Sequence, residues 1–485
     1  MRRALLLALL LASTSAAGHG IMGHMHVTGW AIENLPESEL RAFFQDPEVK
    51  NAALFGAAYT DSGYGQPKDE LKAAARAYSE HTHWEPFIAD FVAWLGKNDP
   101  PPWTTLEQKK RVAFLMGCAA HGLQDEIFDS LFLPQVELRD KGGQDNADPG
   151  TDGFLALDGK LRFFPTPYYP IETVLALYKK LPEGVTQNVI DKSVKVVVDF
   201  YVNAEFGVAV AKTLGTRHEP ALPWTRKHYL DSGVPGSLTS EIVPTMNYLL
   251  AIWERLHGRL GPERTVSFTF PDPPRRIAGT DAATPDSWVT ILYGVGVARD
   301  SLSATWSDSA GGAVSFERRN TRWDAEWTRL HRLQPSKALV PGENYTVSAA
   351  AGLVRIDGQK TAQPVTLTFQ APCATTDDPK CPPLGPLPEA KREGATPYPM
   401  RPEAPPVVEV TPVAEPSSVA EPAVVLDAGV SAAPSPSAGG CQPTGDRSHG
   451  LGLLLCLLLA LLGLRPTHAA QALTQRLGGQ RDLSL

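Results

Sequence analysis

The chain has 485 residues, a formal net charge of -8, and is 43% hydrophobic and 20% charged. That length exceeds one ordinary core and points to several domains. The acidic balance, with no long basic run, argues against a binder of duplex nucleic acid, which needs a Lys/Arg face. It leaves lipid and metal-assisted chemistry open, because bound cations bring their own positive charge.

Arg2 and Arg3 precede the apolar run Ala4–Ala12, and the small residues Ser13–Ala17 follow. This is the order of a secretory signal peptide over residues 1–17. Cleavage after Ala17 leaves Gly18 as the amino terminus, with Ala16 the next candidate site. There are five cysteines. Cys118 reads as a buried thiol. Cys373 and Cys381 stand close together in a loop-like stretch and suit a disulfide in an exported protein.

Residues 18–262 read as an all-helical domain. Leu106–Leu133 has few breakers and one apolar face carrying Val112, Leu115, Met116, Ala119 and Leu123. Val185–Leu214 and Leu238–Leu260 show the same periodicity. Between Lys141 and Pro170 the pattern gives way to Gly, Asp, Asn and Pro, which predicts a long functional loop.

From residue 263 to 372 the period shortens. Thr265–Phe270, Trp288–Tyr293, Ala313–Arg318 and Val365–Phe369 are β-prone runs between turn signals, the spacing of a small β-sandwich. Leu339–Val347, followed by Asp357-Gly358 and the run Val365–Phe369, resembles bacterial immunoglobulin-like domains. Residues 373–449 are rich in Pro, Ala, Glu, Ser and Val and are expected to be a disordered or polyproline-II linker.

The apolar segment 450–465 contains an uninterrupted run of about 15 residues, reaching roughly 22 Å as helix against a hydrocarbon core of about 30 Å. A transmembrane helix would be short there, and a processed tail fits better. Gly440-Cys441, a polar spacer, the apolar run and Arg465 resemble the MYXO-CTERM class of surface-sorting tag, although Pro466 and a short tail to Leu485 (residues 466–485) depart from it. The expectation is an exported protein, held at the cell surface or outer membrane, or secreted after tail processing.

The chemistry gathers in the helical domain. His121-Gly-Leu-Gln-Asp125 places an imidazole and a carboxylate four apart, on one helix face, where both can grip one metal. Asp129 is one more step along. A carboxylate in so apolar a helix needs a partner, since burying a charge alone is costly. Ahead of it lie His24, His26, Asp61, and His81-Thr-His83-Trp84-Glu85-Pro86-Phe87. Each has an ordinary structural explanation by itself; together they suggest a metal site.

In order, His81–Phe87, Pro102-Trp103, Val112-Ala-Phe-Leu-Met-Gly117 and His121–Asp125 closely resemble the N-terminal domain of the glycosylphosphatidylinositol-specific phospholipase D family. More distantly they resemble zinc-dependent phospholipases C and zinc-dependent single-strand nucleases. The resemblance spans about residues 20–250. It implies metal ligation by His24, Asp61, His83, His121 and Asp125, with Asp125 shared between two zinc ions and Asp61 and Asp125 as the catalytic carboxylates. It further implies that a free amino terminus, here Gly18, can ligate. His26 and His81 match no role. At a third metal site Asp129 and Gln144 stand where histidines are expected, with Asp148 in the acidic position. Zinc favours nitrogen and sulfur, so this third site is eroded or takes a harder ion.

The resulting expectation is a metal-dependent phosphodiester hydrolase of phospholipase C or D type, with two zinc ions. Its substrate would be a phospholipid or phosphoinositide-type lipid at a membrane surface. Two rivals remain: a zinc-dependent nuclease, for which Trp84, Phe163, Phe164, Tyr168 and Tyr169 would offer stacking surfaces, and a non-catalytic surface binding protein on a decayed phospholipase scaffold.

Overall fold

A computed structural model describes residues 19–261, 265–270, 288–319 and 326–371. The expected signal peptide, Gly18, the Cys373/Cys381 pair, the expected linker, the apolar segment 450–465 and the tail 466–485 lie outside the described residues. Helix α1 (Ile21–Glu33) is buried along most of its length. Gly20 has no side chain with which to cap it. Asp152 does so instead, accepting from the N–H of Met22 at 3.1 Å and of Gly23 at 2.7 Å. Helices α2 (Glu39–Phe43) and α3 (Pro47–Tyr59) start on side-chain caps from Ser38 and Asp46.

A 3-10 turn, Thr60–Gly63, follows, then α4 (Asp69–His83) and α5 (Glu85–Asn98). The longest helix, α6 (Leu106–Ile127), opens on a capping box between Thr105 and Gln108 and is buried from Val112 onward. It lies against α3. A Cβ at Gly117 would collide with the Ala53 carbonyl, so glycine permits the close approach of the two backbones.

A π-helical turn, Phe128–Phe132, ends α6 and leads into α7 (Leu133–Arg139). The expected long loop instead contains α8 (Gly143–Leu157). Gly and Asp are poor helix formers. Burial overrides propensity here: Ala147, Phe154 and Leu155 pack with Leu222 and Tyr229. Residues 158–170 are irregular. Next come α9 (Ile171–Tyr178), α10 (Gln187–Val197), α11 (Ala204–His218), α12 (Pro223–His228) and α13 (Ile242–Leu256). The single helix expected over Val185–Leu214 is therefore two. A π turn at Val198–Val202 interrupts it, and Asn203 caps the restart by accepting from the Phe206 N–H.

The strands are β1 (Val266–Phe270), β2 (Val289–Ala298), β3 (Ala304–Asp308), β4 (Phe316–Arg319), β5 (Trp327–Pro335), β6 (Asn344–Ala349) and β7 (Val365–Gln370). They form two antiparallel sheets, ordered β1-β2-β5-β4 and β3-β6-β7. Phe270, Leu292 and Leu330 join the helical core, whereas Val289 and Leu333 pack with Trp306, Val347 and Phe369 of the second sheet. The four-stranded sheet is thus a middle layer, which is why β2 is buried on both faces. Among the described residues no helix is long and apolar enough to cross a membrane.

Candidate metal centre

Five side chains converge from four elements: His24 from α1, Asp61 from the 3-10 turn, His83 from the end of α4, and His121 with Asp125 from α6. All are buried. Two sets of ligand atoms lie within 4.8 Å of one another: His24, His121 and Asp125, and Asp61, His83 and His121. Asp125 faces both. Its Oδ1 is 3.1 Å from His24 Nε2, and its Oδ2 is 3.1 Å from His83 Nε2 and 3.3 Å from His121 Nε2. Asp61 Oδ1 lies 3.2 Å from His83 Nε2 and 3.5 Å from His121 Nε2.

The outer nitrogen of each ring is engaged with an oxygen. His83 Nδ1 is 2.6 Å from the Ser79 carbonyl, His121 Nδ1 is 2.5 Å from the Ala57 carbonyl, and His24 Nδ1 is 2.8 Å from Gln124 Oε1. Gln124 is oriented in turn, its Nε2 donating to Thr28 Oγ1 at 3.0 Å. Carbonyl oxygens only accept, so Nδ1 carries the proton and Nε2 is the atom presented to the centre. This is the usual arrangement around a metal-binding histidine.

The electrostatics fit a cation. Burial alone would lower His83 and His121, but Asp125 and Asp61 outweigh it and raise both. Burial would raise the Asp61 carboxyl, yet His121 and His83 bring it down to about 2; His24 and His121 do the same for Asp125, holding it well below the usual range. Asp61 Oδ2, Asp125 Oδ2 and His24 Nε2 are buried without a hydrogen-bond partner. Charged oxygens and imidazole nitrogens left so, in a dry interior, are the donor set a divalent ion satisfies.

Two candidates from the sequence stand outside these sets. Asp129, in the π turn that follows α6, belongs to neither set; it accepts from Gln144 Nε2 at 3.4 Å. Asp148 is buried with neither oxygen hydrogen-bonded, and burial, then Asp129, pushes its carboxyl well above the usual range. His26 is buried and lowered to about 3 by desolvation, and its ring lies against Trp30. His81 packs on Phe87 and Tyr178. Of the aromatic residues, Phe163, Tyr168 and Tyr169 pack on the helical core, while Trp84 lies beside His83.

Sequence reasoning missed His19 and Glu241. His19 is buried, its backbone N–H donates to Asp125 Oδ1 at 3.3 Å, and its Nε2 is 2.7 Å from Glu241 Oε2. Three histidines within the eight positions 19–26 were a signal for His19. Glu241, just ahead of a helix, gave none. Tyr64 was also missed; its ring lies 5.6 Å from that of His83 and its hydroxyl donates to Glu80 at 2.6 Å.

Fold and site together define a helical protein with a buried histidine–carboxylate centre able to hold metal. No family model matches the chain. It is 27% identical over 201 residues to the phosphatidylinositol-glycan-specific phospholipase D of Rattus norvegicus, covering 38% of this chain and 24% of that one. To the Homo sapiens protein of the same name it is 28% identical over 186 residues, covering 35% and 22%. The chain thus matches less than a quarter of the length of these relatives. Among solved structures, CopC from Methylosinus trichosporium OB3b is 18% identical over 23% of this chain and 95% of that one, with a TM-score of 0.19. The N-terminal part of the S-layer protein SbsC is 16% identical over 67% and 79%, with a TM-score of 0.17. At such TM-scores neither structure bears on fold or activity.

Proposed function

We propose that the helical layer is a two-zinc phosphodiester hydrolase acting on a phospholipid or glycosylated phosphoinositide. The observation that carries this reading is Asp125, whose two oxygens face different histidines, the arrangement of a carboxylate shared between two ions. Two bound zinc ions would acidify a water and neutralise charge on the phosphodiester. The chain's own contribution is threefold. His24, His83 and His121 present Nε2 because their Nδ1 atoms are occupied. Asp61 Oδ2, without a hydrogen-bond partner, is placed to accept a proton. The surrounding apolar packing keeps bulk water from the carboxylates. The likeness to phosphatidylinositol-glycan-specific phospholipase D supports a lipid phosphodiester over a nucleic acid.

The remaining proposals concern setting. Arg2, Arg3 and the apolar run after them support export; the segment 440–465 supports surface display. The strand orders β1-β2-β5-β4 and β3-β6-β7 are those of an immunoglobulin constant-type sandwich. Tyr345, at the start of β6, supports that reading: its hydroxyl accepts from the Val340 N–H upstream at 2.9 Å, a hydrogen bond back to the backbone of the kind a tyrosine corner makes. The test is metal analysis of the purified protein, with hydrolysis of a glycosylphosphatidylinositol, a phosphatidylcholine and single-stranded DNA measured side by side. Tightly held zinc with turnover of lipid alone is expected. Turnover of DNA alone would replace lipid by nucleic acid, and metal without turnover of any would favour a binding protein.

A further inference from the structure

Arg329 belongs to the sheet but ends inside the helical layer. It is among the largest fully buried side chains described. Its strand position explains how it gets there. The pairing of β2 with β5 is regular to Leu292–Leu330 and resumes at Val297–Thr328, so Arg329 lies where extra residues of β2 bulge against β5. Such irregularities bend a strand and re-aim its side chains.

The guanidinium meets two elements of the metal centre. Nη2 donates to the His83 carbonyl at 2.7 Å and Nε donates to Glu126 Oε1 at 2.8 Å; the Arg329 backbone N–H donates to Glu126 Oε2 at 3.0 Å. Nη1 reaches the Ala119 carbonyl at 3.5 Å. His83 is the last residue of α4, where helix carbonyls lack intrahelical partners and carry partial negative charge. Glu126 directly follows Asp125. Between them, a Cβ at Gly122 would strike the His83 carbonyl, so the end of α4 rests directly on α6.

We propose that Arg329 is a positioning residue for the metal centre, its planar fork fixing the His83 end of α4 against the Ala119–Glu126 stretch of α6 that carries His121 and Asp125. The inference rests on the metal reading above. Lysine would not substitute: it offers a point charge where the geometry uses a rigid fork with three separate acceptors.

A merely structural ion pair predicts something different, and charge-balanced replacement separates the two. Exchanging a buried pair for apolar residues of similar size is often neutral for stability. The double variant Arg329→Met/Glu126→Met should therefore fold, yet leave the His83 carbonyl unfastened. Zinc affinity, the visible spectrum of the cobalt(II)-loaded protein and thermal stability are measured for the full chain, for this variant, for Arg329→Lys and for Asp125→Asn. Zinc affinity about 10–100-fold weaker, with a changed cobalt spectrum in the folded double variant, is expected. Arg329→Lys keeps the charge but loses the fork, and is read the same way should the double variant fail to fold. Unchanged affinity and spectrum in a folded variant, with wild type loading normally, overturns the proposal alone. Failure of wild type to load metal, or loading undiminished in Asp125→Asn, overturns the metal reading instead.

Discussion

The Nε2 atoms of His83 and His121 face each other at 3.1 Å, flanked by Asp61 and Asp125. Both Nδ1 atoms point at carbonyl oxygens, so two neutral rings would set lone pair against lone pair. A proton or a metal ion must relieve this. Because the carboxylates raise both imidazoles in the metal-free protein, zinc loading near neutral pH should expel protons. Calorimetric titration with zinc in buffers of different ionisation heat should show buffer-dependent heats. Identical heats in every buffer would count against the site.

Asp125→Asn should abolish hydrolysis in a protein that still folds. An amide is neutral and a poorer ligand, and loss of a single electrostatic contact in a catalytic site already costs about 100–1,000-fold in rate. Asp129→Asn should matter far less, because Asp129 stands outside both ligand sets and pairs with Gln144. Rates, zinc content and circular dichroism of both variants check this. Equal losses in the two would argue that the centre is misassigned.

Asp152→Ala should destabilise the protein by about 0.5–2 kcal/mol, the usual range for a lost helix cap. The amides of Met22 and Gly23 would be left buried and unpaired, whereas Asp152→Asn keeps an acceptor oxygen and should cost less. Thermal denaturation ranks the three proteins. No difference between alanine and wild type would show that the contact contributes nothing.

His331 supplies a pH dependence away from the metal centre. Burial lowers it from 6.5 to about 4, among hydrogen bonds with Tyr293 and the Arg299 carbonyl. The unfolded chain therefore takes the proton first as pH falls. The stabilisation is complete above about pH 6.5 and is lost between there and about pH 4, at most about 3 kcal/mol. Urea denaturation across that window should show a shallower loss for His331→Gln than for wild type. Parallel curves would assign the dependence to other groups.

Much of the centre was legible because its ligands lie in local patterns: His121 and Asp125 one helical turn apart, His83 beside Trp84, His24 near the start of the described chain. The helix-to-strand change was legible as a change of period. What escaped depends on tertiary context. The segment 143–157 is helical through burial of Phe154 and Leu155, against its own composition. Strand β5 was not among the expected runs: Arg329, His331 and Arg332 break its apolar pattern, although Arg329 and His331 are buried. The π turn that holds Asp129 was likewise invisible in residue spacing.

The contact between His19 and Glu241 joins positions 222 residues apart. Closing so long a loop costs entropy before any contact repays it, and chains dominated by such pairings fold slowly. A nascent chain carries His24 and His121 long before residue 241 has been made. The contact that fastens His19 beside Asp125 therefore forms only after residue 241 has been made, so the start of the described chain is tied down late.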